Sequence, residues 1–334
     1  MKKFFTSVRT PCWLVMTLLG TVGGRSSALA QPVETLPIPA IQQPTEQLFT
    51  TPAAAIQALQ TATAAGDKTA LRNLFGRQVF DLMTGDDVQD ANNAKRFATA
   101  MTQSCTPVPE GADKITLEVG TNNWPLPIPL VRTDGQWHFD TTTGKEEIIY
   151  RHIGKDELHA IGVCREYVTA QQQFASMNLS ARGEVAYALK FKSSAGKQDG
   201  LYWPTVTNEP ASPFGPLVAR AYAQGYFWHR DGAPQPFHGY YFQILTRQGP
   251  AAPGGSMSYL QHGQLTEGFA LIAYPVSWDQ SGIMTFIVNQ TGAVYQQNLG
   301  EKTTKLAQSI KTYDPDSNWT LVPDEGVRDA AWEK

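Results

Sequence analysis

The residues of this chain best suited to chemistry fall in three groups. His229, Asp231 and His238 combine imidazole and carboxylate, which serve equally as metal ligands and as an acid/base pair. Their spacing matches no metal-ligand pattern, so a polar loop is expected there. Glu146, Glu147, Arg151, Asp156 and Glu157 crowd one short stretch. Paired carboxylates hydrolyse glycosides when one keeps its proton and both flank a cleft. On an exposed helix they form a solvated face instead, and Glu147 and Arg151, four residues apart, are placed to pair. Asp314, Asp316, Asn318 and Glu325 take the first, third, fifth and twelfth places of a calcium loop, yet Trp319 occupies the sixth, where the turn needs Gly. HExxH, GxSxG and GxxxxGK[ST] are all missing, and the Gly-rich run 251–256 lacks the lysine that would cradle phosphate. The sequence therefore assigns no catalytic residue, no metal and no cofactor.

Aromatic residues offer a different kind of chemistry. Tyr202, Trp203, Tyr226, Phe227, Trp228, Phe237, Tyr240 and Tyr241 cluster near Gly and Pro in the second half. Aromatic faces take up sugars, peptides and partner surfaces, and Tyr202, Trp203, Trp228, Tyr240 and Tyr241 are the candidate binding set. Packing of a loop-rich core accounts for the same residues without a ligand. Cys105 and Cys164 are the only thiols beyond Cys12. One intramolecular bridge is open to them, buried free thiols are the alternative, and spacing does not decide between the two. The absence of any CxxC excludes a cysteine metal site.

The elements that must position these groups follow from length, charge and period. The 334 residues carry 27 basic and 30 acidic side chains. The first thirty residues hold four of the bases and no acid, which leaves the rest at about −7 and argues against a nucleic-acid binder. Lys2 and Lys3, a short apolar run at 13–19, and Ala28-Leu29-Ala30 read as a signal peptide over residues 1–30. Residues 31–47 form a Pro-rich leader, 48–143 a first α+β domain and 144–334 a second. Helices are expected at 53–65, from Asp67 to Gly76, and at 87–104. A hairpin turns at Asp134-Gly135. A helical turn over 144–153 should break at Gly154, before a longer helix at 155–177. A short helix near 184–192, strands at 240–246, 268–275, 282–289 and 293–298, and a helix at 301–312 complete the reading. The junction at 140–164 lacks the composition of a flexible linker and is expected to be packed.

Helices followed by a meander ending in GQWHFD resemble NTF2-like cone domains. A long helix followed by YYFQILT, FALIAYP and TFIVNQTGAVY resembles the globular heads of type IV pilins and pseudopilins. The fold class is thus α+β: helices with a curved antiparallel meander, then a long helix packed on a four-stranded antiparallel sheet. WPLPIPLV, RHIGKDELHAI, GLYWP, YYFQILTRQGPAAPGG and GFALIAYPVSWDQSGIMTFIVNQTGAVYQQNLG together resemble the bacterial exported family catalogued as domain of unknown function 2950. That resemblance implies export and brings no activity or catalytic residues. The expected role is non-catalytic binding or scaffolding in the cell envelope, periplasmic or secreted, with another envelope protein or polymer as partner. The alternatives are an envelope-polymer hydrolase and a pilin-like assembly subunit. No integral membrane segment is expected after signal cleavage. Intact-mass measurement of exported protein should find Gln31 as the first residue; a chain retaining residues 1–30 would refute the cleavage site.

Overall fold

Thr51-Pro52 opens the first helix as its chemistry dictates. The Thr51 hydroxyl accepts from the Ala54 amide (3.2 Å), Pro52 occupies the first helical turn, and Gly66 ends α1 (Pro52–Ala65) in the left-handed region. A computed structural model describes residues 46–177, 185–205, 210–228 and 234–323. Asp67 caps α2 (Lys68–Phe75), and Asp86 caps α3 (Asp87–Gln103). The period then switches to two. Strands β1 (Cys105–Pro109), β2 (Lys114–Val119), β3 (Trp124–Pro125), β4 (Leu130–Thr133) and β5 (Gln136–Phe139) form one antiparallel sheet. Its order is β1-β2-β4-β5, with β3 also on β2. Asp134 and Gly135 both have positive φ, the turn that the Asp-Gly pair announces. At the β5 edge, Phe49 and Trp137 exchange two backbone hydrogen bonds of 2.8 Å. At the other edge, Pro107 and Pro109 lie on β1. Leu59, Leu74, Leu117, Leu130 and Phe139 bury the first core between helices and sheet.

Helix α4 (Thr141–Ser176) then runs for 36 residues without interruption, which corrects the expected break at Gly154. A glycine inside a helix costs about 1 kcal/mol, too little to end one that packs along its length. Gly144, near the start, touches the Pro127–Ile128 backbone, and Ile148 packs on the first core. Further along, Ile161, Cys164, Tyr167, Val168 and Phe174 belong to a second core. One helix therefore serves both cores, and the described residues belong to a single compact unit.

The second core lies on an antiparallel sheet of five strands, one more than the sequence suggested. It contains β6 (Tyr240–Leu245), β11 (Ala270–Pro275), β12 (Met284–Asn289), β13 (Val294–Asn298) and β14 (Thr320–Leu321), in the order β14-β13-β12-β11-β6. The short β14 follows Trp319, which packs on this core. Two small hairpins, β7 (Arg247–Gln248) with β8 (Met257–Ser258) and β9 (Leu260–Gln261) with β10 (Gln264–Leu265), lie between β6 and β11. All six residues of β11 are buried, as a central strand covered on both faces requires. The helix expected near 184–192 is absent among the described residues. Gln171 offers its amide oxygen to the Ala188 N–H and its amide nitrogen to the Ala188 carbonyl (2.8 Å each), a side chain imitating a strand partner, and Tyr187 donates to Leu265. This strapping holds the segment extended. Helix α5 (Gly215–Ala223) was not anticipated, and α6 (Thr303–Ser309) follows a short turn at Gly300–Lys302.

The two glycines of α4 predict opposite outcomes. Nothing approaches a side chain built at Gly154, whereas one at Gly144 would run into the Pro127 backbone. Gly154→Ala should raise stability by about 0.5–1 kcal/mol in chemical denaturation, and Gly144→Ala should lower it. Equal effects from both would contradict the packing described.

Candidate functional site

The aromatic-rich second half holds a half-open cavity of about 330 Å³. Three elements build it. Helix α5 turns Leu217 and Val218 into the second core and presents Ala221 and Tyr222 to the cavity. After the left-handed Gly225, Tyr226 turns inward at 5% exposure, while Phe227 and Trp228 stand at the surface at 62% and 36%. Residues 234–237 then lead into β6 through a two-residue turn at His238-Gly239, both with positive φ, closed by the Phe237 N–H on the Tyr240 carbonyl (2.8 Å). Phe191, Phe214 and Val163 close the remaining sides. Among the described residues, every one that lines it is uncharged.

Of the aromatic candidates, Trp228 and Tyr241 line this cavity, and Tyr202 borders it through the Tyr222 ring (6.3 Å between centroids). Trp203 and Tyr240 do not line it. Both are core residues, the Trp203 indole donating to Pro210 (3.0 Å) and the Tyr240 hydroxyl to Met284 (2.9 Å). Phe191, Phe214, Tyr222 and Phe242 were missed. They lie scattered along the chain, and only the fold brings them together.

Behind the cavity lies a polar cluster that sequence spacing did not reveal. One oxygen of Asp86 accepts from the Val88 and Gln89 amides (3.1 Å each) and so caps α3. Its other oxygen accepts from the Tyr226 hydroxyl (3.0 Å) and the Gly239 amide (3.1 Å), and Tyr226 lines the cavity. Burial pushes the Asp86 carboxyl up, and these donors oppose the shift. Asp156, on α4, is fully buried and accepts from the Gln89 side chain (2.5 Å). Burial drives its pKa up to about 8; Gln89 and Lys155 oppose this, and Asp86 and Asp90 reinforce it. At neutral pH the group carries its proton. Asp156 Oδ2 and Gln89 Oε1 have no other partner among the described residues, so acid and amide can complete each other as a pair. The His159 and His238 ring centroids lie 4.2 Å apart with the rings tilted by 36°, and His238 bonds Gln224 (2.9 Å). Burial, His159, Lys155 and Arg96 lower the His238 pKa to about 3.

The other expectations divide. Glu147 and Arg151 pair at 2.7 Å on an exposed face, as spacing indicated, and Glu146 is exposed. Glu157 instead accepts the Ile283 and Met284 amides (2.9 Å each). Cys105 and Cys164 are free thiols; Cys105 packs on the first core and Cys164 is buried in the second, its thiol pushed up to about 12 by burial. Asp314 accepts from the Ala251 amide (2.8 Å) and Asp316 from the Asn318 amide (2.9 Å). His229, Asp231 and Glu325 lie outside the described residues. Among the described residues no group of His, Cys, Asp and Glu is arranged to hold a metal.

The features define an α+β protein with two cores on a shared helix, an aromatic cavity and a buried acid cluster behind it. The chain belongs to the family described as Protein of unknown function (DUF2950), whose model matches residues 46–322. No curated protein and no solved structure matches the chain, so the resemblances to NTF2-like domains and pilin heads gain no support from that side.

Asp156 makes a signed prediction. Its folded pKa lies above the ordinary value of 3.8, so its contribution to stability is complete below about pH 4 and is lost as pH rises toward about 8. His238 acts oppositely: its folded pKa lies below 6.5, and stability is lost as pH falls from there toward about 3. Asp156→Asn keeps the shape, offers Gln89 an amide and cannot ionise. At pH 8 it should be more stable than wild type by on the order of a few kcal/mol, with the gain shrinking toward pH 4. A destabilised Asn variant across this range of thermal melts would show that Asp156 is needed charged.

Proposed function

We propose that the protein is an exported, non-catalytic binding protein of the cell envelope whose ligand occupies the aromatic cavity. The observation that carries this reading is a half-open cavity of about 330 Å³, within the size range of small-molecule sites and lined among the described residues mostly by aromatic and aliphatic side chains, none of them charged. Tyr226 in its wall is held in advance by Asp86, which lowers the ordering cost of binding. Export is supported by the pattern of residues 1–30, and no helix among the described residues is long and apolar enough to cross a membrane.

The hydrolase reading has its own observation, the buried Asp86, Asp156 and His159 beside the half-buried His238. It draws less support, because Asp86 is occupied by four donors and Asp156 is sealed from solvent, whereas a general acid must reach its substrate. The uncharged fluorophore N-phenyl-naphthylamine tests the binding reading. It should bind saturably, and Ala221→Trp, which fills the cavity from α5, should weaken it by about tenfold or more while circular dichroism stays unchanged. Absence of saturable binding to the wild type would overturn the proposal.

A further inference from the structure

The backbone of β6 narrows the ligand class. We propose that the cavity takes an extended peptide, which lies along the outer edge of β6 as a further strand and sets apolar side chains among the aromatic rings. This inference rests on reading the cavity as a ligand site. The register with β11 shows which backbone groups of β6 point outward. Val276 donates to the Gly239 carbonyl (2.9 Å), and Tyr241, Gln243 and Leu245 stand opposite Tyr274, Ile272 and Ala270. Alternation then turns the N–H and C=O groups of Tyr240, Phe242 and Ile244 away from β11. Those of Tyr240 are both taken by Phe237, at 2.8 and 3.3 Å. Past the end of β6, the Thr246 carbonyl accepts from the Tyr259 amide (2.9 Å). Between these two closures the outward groups of Phe242 and Ile244 have no hydrogen-bond partner among the described residues.

The cavity lies against this open stretch. Tyr241 and Phe242 both line it, and successive strand residues point to opposite faces, so the cavity meets β6 at its edge. Its far side is the chain that leads into Phe237. The Phe237–Tyr240 bridge sets Gln235 opposite Phe242, yet the two exchange no backbone hydrogen bond, and Pro234, Gln235 and Pro236 line the cavity. The cavity is thus a wedge between β6 and a segment that has parted from it. An N–H and a C=O on each of two residues, two positions apart, form half of a strand ladder, and a second strand completes it. A ligand without amides would cover these groups and leave them unpaired, which costs affinity. The composition of β6 agrees. Strand β1 carries Pro107 and Pro109, whereas Tyr240–Leu245 has neither proline nor charge, the devices that keep an edge from pairing.

The uncharged pentapeptide TVFVT, acetylated and amidated, tests the inference. It should displace N-phenyl-naphthylamine from the wild-type protein. Only alternate amides of an added strand face its neighbour. N-methylation of one alternate set should therefore weaken binding by about tenfold or more, and methylation of the other set should leave it within about twofold. Because the change is made on the peptide, the fold of the protein is untouched. Amide exchange followed by NMR gives a second readout. In the free protein it should be fast at Phe242 and Ile244 and slow at Tyr241 and Gln243, and saturating peptide should slow the first pair by about tenfold or more. If the dye binds and the peptide neither displaces it nor protects those amides, the peptide inference fails while the cavity reading stands. If neither binds, both fail. Equal effects from the two methylated sets would overturn pairing along β6. So would Phe242 and Ile244 amides protected before peptide is added, because the chain itself would then complete the edge.

Discussion

One carboxylate ties the architecture together. Asp86 begins α3 by accepting its first amides, and the same group accepts from Tyr226 and Gly239, well over a hundred residues later in the chain. It is 1% exposed. A buried carboxylate costs several kcal/mol in lost hydration, and only a full set of donors makes it tolerable. Those donors come from two separate regions, so the cost is met only when α3 and the approach to β6 are both folded. The cavity wall thus depends on a helix cap in the first part of the chain.

Asp86 also explains its neighbour. Two buried carboxyl groups within each other's field cannot both ionise cheaply, and the division follows their surroundings. Asp86 has four donors, which favour the charged form. Asp156 has a single amide, which suits a neutral acid equally well. Gly239 belongs to this arrangement too: a side chain there would stand 2.7 Å from Asp156 Oδ2 and 2.9 Å from Ser281. Glycine is therefore required at that position twice, for the left-handed turn and for the close approach of backbone to acid.

Local signals were legible in the sequence, and convergent ones were not. The Thr51-Pro52 cap, the Asp134-Gly135 turn and the four long strands of the second sheet follow from short-range rules, because each depends on neighbours along the chain. Gly154 misled because propensity is a weak force against a helix packed over its length. Residues 185–192 misled for the same reason: Gln171 and Leu265 supply strand-like partners from distant segments. The site was half legible. Aromatic content pointed to the region of the cavity, and Trp228 and Tyr241 line it, but Trp203 and Tyr240 have the same residue types and serve the core. Asp86 looked like any helix cap. Nothing in its spacing announces Tyr226 as a second partner.

The two borders of the first sheet bear on how this molecule meets copies of itself. Ser104 and Glu110 direct their backbone groups into the sheet, so alternation turns Cys105, Pro107 and Pro109 of β1 outward. Two of those three outward positions have no N–H to offer. On the opposite border, Phe49 already occupies the hydrogen-bonding groups of Trp137. An incoming strand would find few vacant donors on either side. The first sheet is thereby protected from growing by strand addition, the route to fibres and to strand-swapped oligomers. A polymer built from this chain would need a contact made by side chains or by the second sheet.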